Sequence, residues 1–178
     1  MMKKLAVAGL CSMMVMSAPV VITDTQASPQ LFENLSGKWR GKGLVKASAK
    51  GKPVSIRCKM SNNVKDNARI NLSGNCAVSG FIFSLKGFIQ QNGGKNSYTA
   101  SMFRSLANLK QSNFSGKRSG TRINFSFKAR DRVTRQDVVA TIRLNAKNAN
   151  AFDVKISRSD PDTGKIFEVG TIAFAKRG

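Results

Sequence analysis

The sequence of 178 residues contains no histidine. This absence removes the commonest general base, the usual catalytic zinc ligand and every Ser-His-Asp or Cys-His arrangement. Acidic residues are also scarce, with nine Asp and Glu against 30 Lys and Arg. We therefore predict that the protein is not an enzyme and that it binds neither a metal ion nor a cofactor.

Aromatic residues that stack on nucleic-acid bases are scarce as well. The chain has one Trp and one Tyr, and it lacks the aromatic strand motif of RNA-recognition domains. We expect no nucleic-acid partner, although the charge is strongly basic.

Long apolar runs are absent after the first 21 residues, MMKKLAVAGLCSMMVMSAPVV. Two lysines followed by an apolar run of this length are typical of a signal peptide. Small residues at Thr25 and Ala27 predict cleavage after Ala27. Cleavage after Ala18 is disfavoured, because Pro19 follows it. A lipid anchor at Cys11 is the alternative, but Leu10 stands where that signal needs a small residue. We expect a periplasmic or secreted product.

The expected mature chain, Ser28 to Gly178, has 151 residues and suits a single domain. We divide the chain into a signal peptide (1–27), a lead-in with one helical turn (28–36) and one β domain (37–178). Removing Lys3, Lys4 and Asp24 leaves a formal net charge of +20. Such a charge attracts anionic partners. In a bacterial envelope these are lipopolysaccharide, phospholipid head groups and cell-wall polymers.

Residues from Gly37 onward repeatedly alternate apolar and polar side chains, the pattern of half-buried strands. In VSIRCKM, for example, Val54, Ile56 and Cys58 share one face. Turn-forming sequences separate about ten such runs, and their spacing is typical of antiparallel barrels and sandwiches. The stretch 97–115 is the least clearly patterned. We predict an all-β fold, a single antiparallel up-and-down barrel of about 8–10 strands.

The polar phase of these strands is basic. A membrane-spanning barrel would need that phase apolar, because each basic group at mid-bilayer depth costs about 2–4 kcal/mol. We therefore expect a protein that does not span a membrane. The basic side chains on this phase are Arg57, Lys59, Arg69, Lys86, Arg122, Lys128, Arg143 and Lys155.

One group of basic residues is denser than the rest and is a candidate anion patch. The alternative is that these residues are part of a uniformly solvated basic exterior. The group comprises Lys117, Arg118, Lys128, Arg130, Arg132 and Arg135.

Two cysteines of the expected mature chain lie on neighbouring strands. A two-residue turn at Ser79-Gly80 pairs Cys76 with Phe83, and pairing Cys58 with Cys76 then keeps both hairpins apolar on the same face. Directly opposed antiparallel residues are within disulfide reach. We predict a Cys58–Cys76 bond on the interior face; two buried free thiols are the alternative.

The segment Asn34 to Trp39 places a Gly-x-Trp motif at the start of the first strand. It resembles the first-strand signature of calycin barrels: lipocalins, avidins and bacterial metalloprotease inhibitors. The resemblance implies a lipocalin-like barrel in which Trp39 plugs the closed end. It also implies that a basic residue ending the last strand, Lys176 or Arg177, packs on Trp39.

Two functions suit these features. In the first, the barrel binds a small apolar or amphiphilic ligand with an anionic head, unless the inward side chains simply fill the interior. In the second, the basic exterior holds anionic lipid, polysaccharide or a protein partner, or one loop edge inhibits a protease. The candidate ligand-lumen residues are Met60, Phe83, Leu85, Phe125, Phe127, Ile142, Phe152 and Val154.

Overall fold

The computed structural model describes residues 27–94, 96–103, 113–130 and 134–177. In chain order, the described residues form one helix and ten strands. These are α1 (Ala27–Leu35), β1 (Gly37–Val45), β2 (Val54–Asp66), β3 (Arg69–Val78), β4 (Phe81–Gln91), β5 (Ser97–Phe103), β6 (Asn113–Ser119), β7 (Arg122–Arg130), β8 (Asp137–Asn148), β9 (Ala151–Ser159) and β10 (Ile166–Lys176).

Every strand pairs antiparallel with its sequence neighbours, and β1 also pairs with β10. The sheet therefore closes into an up-and-down barrel of ten strands, which leaves no unpaired edge. The predicted fold class is confirmed. The stretch 97–115, whose sequence pattern was the least clear, contains β5 and the start of β6. Residues 104–112 between these strands lie outside the described part.

The inward phase of the strands forms the core. On β8, Val138, Ala140, Leu144 and Ala146 are buried, while the residues between them are exposed or partly exposed. This alternation follows from the two-residue repeat of an extended strand, which sends successive side chains to opposite faces. The barrel interior is therefore apolar and its exterior polar.

The register predicted around the cysteines is confirmed. Cys58 on β2 lies directly opposite Cys76 on β3, and the two form a disulfide with Cα atoms 4.0 Å apart. Val78 pairs with Phe81 across the Ser79–Gly80 turn. Because both hairpins share this register, the disulfide lies on the inner face of the barrel wall.

Helix α1 is longer than the single helical turn predicted for the lead-in. Leu31, Phe32 and Leu35 are all at most 3% exposed and form one stripe against the barrel. So short a helix is unstable alone, and its stability comes from the apolar face that it buries. A stripe of three residues is too brief for a clear helical period, which is why the sequence pattern missed its extent.

No helix in the described ranges is both long and apolar enough to cross a membrane.

Candidate ligand-binding cavity

The two ends of the barrel differ. Helix α1 packs near the end where β1 begins and β10 finishes, which we call the helix end. The opposite end, which we call the distal end, is formed in the described residues by the connections 46–53, 79–80, 134–136 and 160–165. The β5–β6 connection and part of the β7–β8 connection fall outside those residues.

A cavity of about 400 Å³ lies inside the barrel, a size found in small-molecule sites. It extends from Leu35 and Asn62 at the helix end to Lys46 and Ala47 at the distal end. Among the described residues that line it, Lys46 and Asn62 are the only ones with strongly polar side chains.

Nine of the inward side chains around the cavity are only partly buried although they face the interior. They therefore do not fill the barrel, and the space between them is the cavity. These residues are Val45, Met60, Leu72, Val78, Phe83, Leu85, Met102, Ile142 and Val154.

Seven of the eight residues predicted to line a lumen border this cavity: Met60, Phe83, Leu85, Phe125, Ile142, Phe152 and Val154. Phe127 points inward but is not among the lining residues. Its ring packs against Phe114, with centroids 4.3 Å apart. A ligand in the cavity would therefore meet Phe114, which lines it, rather than Phe127.

Two inward glycines make room for aromatic rings that form the cavity wall. A Cβ on Gly41 would lie 2.5 Å from Cε1 of Phe174, and a Cβ on Gly116 would lie 2.5 Å from Cδ1 of Phe125. Because glycine lacks that atom, each ring lies directly on the neighbouring strand instead of projecting across the barrel. The glycines thus help to keep the lumen wide.

The helix end is closed by Trp39, which is 1% exposed. Its Nε1 donates a hydrogen bond to the carbonyl oxygen of Leu35 at 3.0 Å, and its ring packs edge-on against Phe152 at 4.7 Å. Phe152 in turn stacks on Phe174 at 4.4 Å. Trp39 is therefore buried in an aromatic cluster that joins the last turn of α1 to the barrel wall.

Of the two basic residues predicted to pack on Trp39, Lys176 is the one that does. Its Nζ lies 5.5 Å from the Trp39 ring, and it is the register partner of Trp39 on β10. Gly37, with φ of 111°, allows the approach, because a Cβ there would lie 2.9 Å from Cε of Lys176. Arg177 is exposed and lines a groove on the outside of the barrel.

Asn62 introduces a polar group into the apolar interior. It is 2% exposed and lies on the inward phase of β2, two residues after Met60. Its Nδ2 donates to the carbonyl oxygen of Leu35 at 3.0 Å, whereas its Oδ1 has no hydrogen-bond partner in the described part of the chain. The sequence signal was a polar amide between Met60 and Val64 on the inward face of the predicted hairpin, which sequence analysis did not single out.

Two cations lie close together at the distal end, and one of them, Lys46, lines the cavity. Arg158 follows Ile156 on the inward phase of β9 and pairs with the buried Ala140. It donates to the carbonyl oxygen of Ala47 at 2.9 Å, and both Arg158 and Lys46 lie over the ring of Phe167, at 5.5 and 5.6 Å. A basic residue on an inward phase was the signal that sequence analysis missed.

The described residues of the predicted anion patch lie at different heights on the barrel wall. Lys117 and Arg118 lie near the helix end of β6, where Lys117 pairs with Asn124. Lys128 is four residues further along β7, about 13 Å at the usual strand rise. Arg130 is near Arg135, donating from Nε to its carbonyl oxygen at 2.8 Å. Arg132 lies outside the described residues, so the patch stays a prediction.

Another basic surface lies on the outer face of β1–β4. It surrounds a groove of about 530 Å³, lined by the basic residues Lys38, Arg40, Lys59, Lys86 and Arg177 with several Ser and Asn side chains between them. No carboxylate is among the described residues that line it. The register places Arg40 directly opposite Lys59, and like charges so placed repel.

No protein-family model matches this chain, and no curated protein sequence is similar to it at a significant level. Solved structures do resemble it. Rv2717c from M. tuberculosis has a TM-score of 0.61 at 10% identity, covering 85% of this chain and 98% of its own. A de novo designed fluorescence-activating β-barrel has a TM-score of 0.45 at 12% identity, covering 83% of this chain and 98% of its own. At this identity, the likeness to Rv2717c shows that the chain shares its β-barrel fold.

Proposed function

We propose that this protein is an exported, non-enzymatic β-barrel of the bacterial envelope that binds a small apolar or amphiphilic anionic ligand inside the barrel. The observation that carries the proposal is the cavity of about 400 Å³ with an almost wholly apolar wall. Burying apolar ligand surface there contributes about 25 cal/mol per Å². The barrel fold is compatible with such a ligand.

The anionic head is supported by Lys46 and Arg158 at the distal end of the cavity. Both cations lie beside Phe167, and Lys46 itself borders the cavity. An amphiphile with its chain along the lumen would bring its head to these two side chains. Charge-assisted hydrogen bonds from these cations would offset the cost of removing the anionic head from water.

We further propose that the barrel is calycin-like. The support is local and physical. Gly37 gives Lys176 access to Trp39, and Trp39 closes the helix end as that resemblance implies. Export rests on the amino-terminal sequence, and the absence of enzymatic activity rests on the scarcity of catalytic residue types.

The test is native mass spectrometry of the mature protein, followed by titration with saturated fatty acids of increasing chain length. We expect a one-to-one complex and a rise in melting temperature. Val154→Trp, which fills the cavity, should abolish both, whereas Thr141→Trp on the exposed face of β8 adds the same ring outside and should not. If the wild-type protein binds no apolar ligand by either measurement, the proposal is wrong.

A second candidate function, adhesion to an anionic envelope polymer, is favoured by the basic groove on β1–β4. The opposed pair Arg40 and Lys59 costs stability without a ligand and would be neutralised by one. A double Arg40→Gln, Lys59→Gln variant should lose more affinity for dextran sulfate than a Lys117→Gln, Lys128→Gln variant with the same charge loss. Equal losses of affinity in the two variants would assign the binding to net charge alone. The affinity of the wild-type protein for dextran sulfate should also fall as salt is added.

A further inference from the structure

The orientation of the Asn62 side chain is determined by its neighbour. Its amide lies 3.0 Å from the carbonyl oxygen of Leu35, and only the Nδ2 atom can donate to that oxygen. The same carbonyl oxygen accepts from Trp39 Nε1. Exchanging the two amide atoms would bring two acceptors together, so Oδ1 is the atom left over.

A buried acceptor of this kind needs a donor. Buried polar side-chain atoms are hydrogen-bonded in the great majority of cases, yet Asn62 Oδ1 has no partner within the ranges that the structure describes. A buried water typically makes about three hydrogen bonds. The cavity wall beside Asn62 offers apolar side chains such as Leu35 and Leu72, which cannot supply the others.

We propose that Asn62 Oδ1 accepts a hydrogen bond from a hydroxyl group at the deep end of the ligand. This inference rests on the proposed function and makes the ligand more specific. The ligand is an amphiphile with an anionic head near Lys46, an apolar middle and a hydroxyl at or near the far end of its chain. The cavity reaches both residues, so a single chain along its length would contact both.

The experiment compares pairs of ligands of equal chain length by isothermal titration calorimetry. Each pair consists of a fatty acid and its ω-hydroxy analogue, at chain lengths that span the cavity, with the ω-methoxy analogue as a control that lacks the donor. We expect the best-fitting hydroxy acid to bind about tenfold tighter than the methoxy acid. Asn62→Leu, which removes the acceptor at similar volume, should abolish or reverse that preference.

The outcomes separate the two proposals. If the acids bind but the wild-type protein shows no preference for the hydroxyl at any chain length, the Asn62 inference is wrong and the cavity function stands. If no acid binds, both are wrong. The comparison of ligands on the wild-type protein tests the hydroxyl preference even where the Asn62 variant fails to fold.

A second inference comes from an independent observation, the exposed apolar residues. Phe81 and Ile82, at the tip of the β3–β4 hairpin, are 78% and 77% exposed. Of the seven exposed large hydrophobic residues described, six lie toward the distal end of their strands and one, Val64, lies near the helix end; Val54 among the six also lines the cavity mouth. The six are Leu44, Val54, Phe81, Ile82, Val139 and Ile166.

These six residues form an arc on five strands around one end of the barrel: β4, β2, β1, β10 and β8. Scattered single hydrophobic residues need no explanation, but a group concentrated at one end is typical of a contact surface. The same end is basic in the described residues, with Asp137, Asp160, Asp162 and Glu168 as its acids. Its cations are Lys46, Lys50, Lys52, Arg130, Arg135, Arg158 and Lys165.

We infer that the distal end docks on an anionic phospholipid surface, with Phe81 and Ile82 entering the boundary between head groups and acyl chains. Basic side chains around an apolar tip complement a negatively charged bilayer, which is the usual chemistry of peripheral membrane attachment. The high net charge attracts the protein to the surface, and the apolar arc selects the end that faces it. This inference would hold even if the cavity bound nothing.

The test is co-sedimentation with vesicles of phosphatidylglycerol mixed with phosphatidylcholine. A Phe81→Ser, Ile82→Ser variant should bind about tenfold more weakly, whereas Val64→Ser, which removes an exposed apolar side chain near the helix end, should bind like the wild type. Vesicles of phosphatidylcholine alone should bind neither protein well. Unchanged binding of the tip variant would overturn the inference. So would a wild-type dimer that the tip variant loses, because it would assign the surface to a second copy.

Discussion

Lys176 and Trp39 are directly opposed on β10 and β1, and the ammonium group of Lys176 lies 5.5 Å from the centre of the Trp39 ring. The lysine therefore covers the outer side of the residue that closes the helix end. A cation over an indole face is attracted by the charge distribution of the ring, by about 0.5–1 kcal/mol where the cation is exposed.

Replacing Lys176 by Met should consequently lower the free energy of unfolding by about 0.5–1 kcal/mol, because the apolar stem remains and the charge is lost. Arg177→Met removes the same charge one residue away, from a side chain that does not lie over the Trp39 ring, and should cost less. Urea denaturation followed by Trp39 fluorescence measures both. An equal loss for the two variants would mean that net charge, and not the ring contact, is responsible.

The disulfide should contribute most to stability among single features. It joins residues separated by 18 positions, and the loop-entropy relation gives about 3 kcal/mol for a loop of that size. A Cys58→Ala, Cys76→Ala variant should unfold at correspondingly lower denaturant concentration, and added reductant should shift the wild type but not the variant. Alkylation of either cysteine in unreduced protein, detected by intact mass, would contradict the bond.

Replacing Gly41 by a residue with a side chain should lower the stability of the protein. A Cβ there would lie 2.5 Å from the Phe174 ring, so Gly41→Ala must displace that ring towards the lumen. We expect a loss of about 1–3 kcal/mol, the usual range for overpacking, together with weaker binding of any lumen ligand. Gly93→Ala is the control, because nothing lies within 4 Å of its Cβ. Similar melting temperatures for the two variants would contradict the packing argument.

Glu168 should make stability weakly dependent on acid pH. Hydrogen bonds from Lys155 and then from Thr171 hold the pKa of this carboxyl below its ordinary value. Its ionised form therefore stabilises the folded state at neutral pH, and that contribution is lost as the pH falls through the folded-state pKa. Because both side chains of the pair are more than 40% exposed, the effect should be about 0.2–1 kcal/mol.

A double-mutant cycle with Glu168→Gln and Lys155→Met measures this coupling. The coupling free energy should stabilise the folded state at pH 7. It should be absent at pH values well below the ordinary pKa range of a carboxyl group. A coupling that persisted in strong acid would show that the pair acts through packing and not through charge.

Lys46 should discriminate between ligands by their head groups. Since it borders the cavity beside Phe167, Lys46→Gln should weaken binding of a fatty acid by about tenfold while leaving a fatty alcohol of the same length nearly unaffected. Lys50→Gln, in the same connection but outside the cavity lining, removes an equal charge as the control. Equal effects on acid and alcohol would place the head group elsewhere.

Much of the barrel could be predicted from local pattern. The inward phase of VSIRCKM and the short Ser79–Gly80 turn determined the register of three strands, because a two-residue turn allows one pairing and a shift by one residue would invert every side chain. The disulfide then followed from two cysteines in directly opposed positions. Most of the lumen residues were predictable for the same reason, since they occupy the inward phase.

Other features depended on how residues of different strands are placed relative to one another, which no local sequence pattern encodes. Phe127 has the same phase as Phe125, yet the packing of Phe114 against it removes it from the cavity wall. The basic residues of β6 and β7 are neighbours in sequence, but Lys117 and Lys128 lie at different heights on the barrel wall. The choice of Lys176 over Arg177 depended on the pairing of β10 with β1.

The sequence by itself determined the strand periodicity, the inward faces, the cysteine pairing and the strongly basic exterior, because each of these depends on residues within one hairpin or on composition. Only the tertiary structure decided that the inward side chains leave a cavity, that the Asn62 acceptor is buried within it and that the exposed apolar residues gather at one end. These properties depend on closing β1 against β10, which brings together strands more than 100 residues apart in the chain.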